Sequence, residues 1–143
     1  MTAWTYDDGG RAAAGFRGDA GDCAVRAVAI AGRLDYRQVY DDLYRWSRRV
    51  ERQPRSPRLG VTRKVLDRLL LDEYGWSWTP TMQVGSGTTV HLRPDELPAG
   101  RIVARLSRHY VAVIDGVAHD THDSTRDGTR AVYGYWTPRK DDR

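Results

Sequence analysis

The chain has a single cysteine, Cys23, in 143 residues, so no disulfide can form within it and nothing in the sequence asks for an oxidising compartment. Lysine is nearly missing as well. Among 23 basic residues only Lys64 and Lys140 are lysines, and almost all the positive charge is therefore guanidinium. No stretch approaches the ~18 apolar residues of a membrane span. Met1–Gly10 shows no basic start followed by an apolar run. The expectation from these absences is a cytoplasmic protein with no membrane partner. Internal repeats and low-complexity tracts are also lacking, which speaks against fibrous and disordered classes.

What remains is a globular composition, 40% hydrophobic with five Trp and eight Tyr, in a length that fits a single domain able to bury a core without staples. The net charge of +4 suits an anionic partner, and its distribution is uneven. Between Arg45 and Lys64 eight basic residues face one acid, Glu51, which marks a candidate anion-facing surface.

Residues 1–21, rich in Gly, Ala and Asp, read as an irregular lead-in. Cys23–Ala31 is small or aliphatic nearly all round and interrupted only by Arg26, the pattern of a mostly buried helix, with Gly32 as its stop. Apolar residues at three- and four-residue spacing predict a second helix over about 35–52. A third is expected over about 62–74, after Pro54 and Pro57. Beyond Gly75 the pattern changes to short β-rich runs at 76–84, 88–92, 101–106, 110–114, 117–120 and 131–136. Helices followed by strands predict an α+β fold, with N-terminal helices packed on a C-terminal antiparallel sheet. Gly85-Ser86-Gly87 reads as a hairpin turn, since no P-loop lysine follows it.

The chemistry centres on Cys23. With Asp22 as its N-cap, Cys23 is the first helical residue, where the macrodipole favours a thiolate and the free backbone N–H can serve an oxyanion. Further along, Asp115-Gly116 is a preferred two-residue type I′ turn. That turn opposes Val111 to Asp120 and His109 to His122, so Asp120 is a diagonal neighbour of His109 on one face, with backbones about 7 Å apart. A carboxylate beside an imidazole fixes its tautomer and stabilises its protonated form. Cys23 as nucleophile, His109 as general base and Asp120 as orienting acid form one constellation. His122 competes for the third place, and Asp123 is expected to face Arg108 on the opposite side of the sheet.

A helix-borne Cys, a strand-borne His and an acid on the next strand resemble the papain-like cysteine peptidase superfamily. The segments Gly18-Asp-Ala-Gly-Asp-Cys-Ala-Val-Arg-Ala27 and Ser107-Arg-His-Tyr-Val-Ala-Val-Ile-Asp-Gly-Val-Ala-His-Asp-Thr121 look like the two signature blocks of uncharacterised phage and bacterial members. The resemblance implies a papain-like fold and a thioester at Cys23, with proton shuttling by His109 and Asp120 in the third position. No cofactor is expected, and the expected substrate is a peptide, protein or amide, an acidic one where the basic flank docks it. Papain-like enzymes often carry an oxyanion-donating Gln before the cysteine. Here that region holds Arg17, Gly18 and Asp19, which leaves Arg17 or the Cys23 amide as oxyanion donors and Asp19 as a secondary candidate.

Two other functions compete. Zinc could draw on Cys23, His91, His109, His119 and His122, but no ligand-pair spacing occurs and alternation puts His119 on the other hairpin face from His109 and His122, so no metal is expected. A non-enzymatic binding module is the alternative, with the 45–64 stretch gripping nucleic acid or another acidic partner and Trp76 and Trp78 as stacking surfaces.

Overall fold

The computed structural model describes residues 3–17, 21–82 and 89–140. Three helical segments precede most of a mainly antiparallel sheet, an α+β arrangement. Helix α1 runs Cys23–Gly32 and α2 Tyr36–Val50. Asp35 caps α2 by accepting from the Gln38 N–H. The third helix is composite. Thr62 caps a short α-helix, α3 (Arg63–Asp67), which widens into a π-helical stretch over Arg68–Glu73. Among the described residues no helix is long and apolar enough to cross a membrane.

The strands are β1 (Trp4–Tyr6), β2 (Ser77–Pro80), β3 (Val90–His91), β4 (Arg101–Leu106), β5 (His109–Ile114), β6 (Val117–Asp120), β7 (Ala131–Val132) and β8 (Gly134–Thr137). Six of them form one sheet in the order β1-β6-β5-β4-β8-β2, and β3 pairs with β7 in a small second one. Strand β1 corrects the reading of residues 1–21 as irregular. It pairs parallel to β6, with Tyr6 opposite Asp120. Three edge residues exposed on both faces carry no alternation that would betray a strand. The expected 131–136 strand is also divided, because the chain changes sheets at Tyr133. The Gly85-Ser86-Gly87 turn lies outside the described residues.

Strand alternation sorts the core. Val103, Tyr110, Ala112 and Ile114 face the helices with Val25, Val28, Leu43, Leu66 and Leu69, while Ile102, Ala104, Val111, Val113 and Ala118 face a second cluster with Leu92 and Leu97. The small side chains of α1 let it lie close against β5 and β4. Gly32 does not end α1 as expected. Arg33 takes the left-handed conformation at φ 55°, and Gly32 is inside the helix because a Cβ there would stand 2.8 Å from Trp76. The β5–β6 turn has the expected geometry, with φ 50° at Asp115 and 80° at Gly116. Only glycine fits at 116, since a Cβ would also lie 2.5 Å from the Pro94 Cα. The ladder from this turn pairs Ile114 with Val117 and Ala112 with His119, the register expected from the sequence.

Candidate active site

Helix α1 brings Cys23 to the end of β5, where His109 is the first strand residue. The imidazole Nε2 lies 2.6 Å from Asp120 Oδ2, and the thiol shares a cleft with the same ring, near enough to feel its charge. With Nε2 committed to Asp120, Nδ1 is the nitrogen left for sulfur. The Tyr110 backbone N–H also favours negative charge on the Cys23 sulfur. Cys23 is partly exposed, whereas Asp120 is buried at 3%. The three residues singled out from the sequence therefore meet in one line.

Opposing effects set the charges along it. Burial pushes the Cys23 thiol up, but the hydrogen bond and charge of His109, the Tyr110 amide and the Arg26 charge outweigh it and hold the thiol below its ordinary range. Burial alone would lower the His109 pKa. Hydrogen bonds to Asp120 and Cys23 reverse this and raise it to about 9. At Asp120 burial is again overcome, by His109, the Thr121 N–H and His122, and the pKa falls to about 2. The three shifts favour the charged form of each group, with an imidazolium set between the sulfur and the carboxylate.

Asp22 departs from its expected role. It makes no side-chain cap bond. Its buried carboxylate instead accepts from Arg26 Nη1, from the Tyr36 hydroxyl at 2.6 Å and from Arg11 Nε at 3.2 Å. Arg26 is itself buried, and its Nη2 reaches Asp120 Oδ1 at 3.3 Å. One guanidinium therefore ties the carboxylate before the nucleophile to the carboxylate behind the base. The burial of Tyr36 beside Asp22 raises its pKa and keeps the phenol a donor. The sequence reading passed over Arg26 as an interruption in an apolar helix. The available signal was its i,i+4 spacing from Asp22, because a charge in a helix buried all round needs a partner.

His122 is exposed, with its ring 5.2 Å from that of His109 and its Nδ1 3.8 Å from Asp120 Oδ1. It shares the face of the triad, as expected, without replacing Asp120. Asp123 turns to its own loop and accepts from the Thr125 N–H and hydroxyl. Arg17 is exposed and does not line the cleft at Cys23, and Asp19 lies outside the described residues. The remaining oxyanion candidate is the Cys23 N–H, which as a first helical amide has no intrahelical acceptor. Of the five possible zinc ligands, His91 pairs with Glu96 and His119 lies near Asp7. Among the described residues the group with ligand atoms close enough to hold a metal is His109, Asp120 and His122, within 4.8 Å of one another. Such an ion would compete for the same imidazole and carboxylate that serve the thiol.

The basic 45–64 stretch is not one surface. Arg45 pairs with Asp42 and Glu73, Arg63 with Asp67, and Arg48 and Arg49 stack on Tyr44 and Trp46. Neither tryptophan proposed for stacking is available. Trp76 is buried, and Trp78 is packed between Trp136 and Arg63. No family model, curated protein or solved structure matches this chain.

Proposed function

We propose that this protein is a cysteine-dependent hydrolase of papain-like type, acting on peptide, isopeptide or amide bonds through an acyl-thioester at Cys23. The observation that carries the reading is the meeting of Cys23 and His109 in one cleft, with Asp120 2.6 Å behind the imidazole. The thiolate attacks the carbonyl carbon, a C–S bond forms, and the oxyanion is received by the Cys23 N–H. As the tetrahedral adduct collapses, the C–N bond breaks and His109 gives its proton to the leaving amine. Water then attacks the thioester while the neutral imidazole takes its proton. The C–S bond breaks, the acid leaves, and the thiolate–imidazolium pair is restored. Asp120 stays ionised throughout. Work in the cytoplasm fits this chemistry, since the nucleophile must remain reduced.

Acyl transfer is testable without the natural substrate. With p-nitrophenyl acetate the protein is expected to release a burst of about one equivalent of nitrophenolate, leaving an acetyl group that mass spectrometry finds on Cys23. Cys23→Ala should lose both signals. Absence of a burst, or acetylation elsewhere only, contradicts the proposal.

A further inference from the structure

The cleft at Cys23, about 500 Å³, has an unusual charge lining. Arg26, Arg105, Arg108, His109 and His122 border it, and among the described residues no carboxylate does. Arg26 is neutralised by Asp22 and Asp120. Arg105 and Arg108 are not. The Arg105 guanidinium lies over the Tyr133 ring at 5.6 Å, and neither arginine has a carboxylate within ion-pair distance among the described residues. Arg108 lines the cleft from the turn between β4 and β5, where it adopts φ 57° and where Arg130 Nη2 donates to the Ser107 carbonyl at 2.7 Å. On the other side of Gly60 and Val61, which line both spaces, a groove of about 830 Å³ opens. Arg52, Arg55 and Lys64 border it together with one acid, Glu51, whose carboxylate accepts from the Thr62 hydroxyl, and Arg52 and Arg55 have no ion pair among the described residues.

Two cationic spaces thus adjoin at the wall formed by Gly60 and Val61. We propose that the substrate is an acidic peptide, with a carboxylate side chain beside the scissile carbonyl taken up by Arg105 and Arg108, and further acidic residues crossing Gly60 into the groove of Arg52, Arg55 and Lys64. Planar guanidinium forks suit carboxylates, and low-dielectric walls strengthen the attraction next to the reacting carbon. Nucleic acid shares the charge but offers no acyl carbonyl to the thiolate, and the Trp76 and Trp78 rings are already packed. This inference rests on Cys23 being an acyl-transfer nucleophile.

The test uses peptidyl chloromethyl ketones that differ only in having Glu, Gln or Lys next to the ketone, with alkylation of Cys23 followed by mass. Each rate is divided by the iodoacetamide rate of the same protein. The Glu reagent is expected to react about ten-fold faster than the Gln reagent at low salt, with Lys slowest. Raising salt to roughly 0.5 M should reduce the preference. In Arg105→Gln/Arg108→Gln the ratio of Glu to Gln should fall to about one. Equal Glu and Gln rates in the native protein, with iodoacetamide still reacting fast, would overturn the substrate class and leave the cysteine enzyme standing. Cys23 no more reactive than a peptide thiol toward any reagent would overturn both. Protection of Cys23 by a single-stranded oligonucleotide but not by a poly-glutamate peptide would also overturn the acidic-peptide assignment.

Discussion

Asp120→Ala is expected to slow acylation of Cys23 by about 10²–10⁴-fold, while Asp123→Ala leaves the rate within a few-fold. Asp120 combines three roles that no neighbour duplicates. It accepts from His109 at 2.6 Å, supplies the negative charge that keeps the imidazole protonated, and faces Arg26 from 3.3 Å. Asp123 is engaged in its own loop, where it accepts from Thr125. Asp120→Asn separates geometry from charge, since the amide oxygen can still accept from His109. Losing the carboxylate removes a cause that raises the His109 pKa, so the imidazolium should give up its proton below the native value of about 9. The alkaline limb of the rate profile must then move toward neutral pH. Equal losses at Asp120 and Asp123, measured as nitrophenyl ester burst rates, would show that the third catalytic residue has been misassigned.

Arg26→Leu is expected to cost about 3 kcal/mol of stability, because it removes the cation shared by two buried carboxylates, although Asp22 keeps Arg11 and Tyr36 and Asp120 keeps His109. In a chain of this size that is a fall in Tm of about 10 °C or more. Asp22 and Asp120 are 1% and 3% exposed, so water cannot replace the guanidinium. Arg26→Lys should recover part of the loss, since a single ammonium cannot span both carboxylates as the fork does. Arg26 acts as a positioning residue, and a readout beyond stability follows from its charge. That charge lowers the Cys23 pKa, so the thiol of Arg26→Leu should titrate higher than in the native protein. A Tm loss of only a degree or two, with an unchanged thiol titration, would remove Arg26 from the account.

Local chemistry with few solutions was legible from the residues. The hairpin register followed from Asp115-Gly116, where two consecutive positive φ values admit one common turn, and the meeting of His109 and Asp120 followed from the register. The segregation of helices and strands was equally plain in the periodicities. What escaped depends on partners distant in sequence. Strand β1 exists through β6, more than a hundred positions later, and its exposed residues show no pattern of their own. Asp22 looked like a cap because Asp before an apolar run usually is one, but three donors from elsewhere claimed its carboxylate. The i,i+4 spacing of Arg26 from Asp22 was there to be seen, but its second partner, Asp120 on β6, was not. The basic stretch was visible as composition, yet only the fold separates paired arginines from those bordering a groove.

The central claim is that Cys23 is held as a thiolate by His109, and its most direct test is the pH dependence of Cys23 alkylation by iodoacetamide in the native protein and in His109→Ala. Cys23 is the sole cysteine, so the label reports one site. The native thiol should react at pH values well below the titration of a free cysteine at about 8.5, with a further change near pH 9 as His109 deprotonates. Removing the imidazole deletes the leading cause of the lowering, and the titration should rise to or above the free-thiol value. Identical profiles for the two proteins, both titrating like a free thiol, would contradict the assignment of Cys23 and His109 as a catalytic pair.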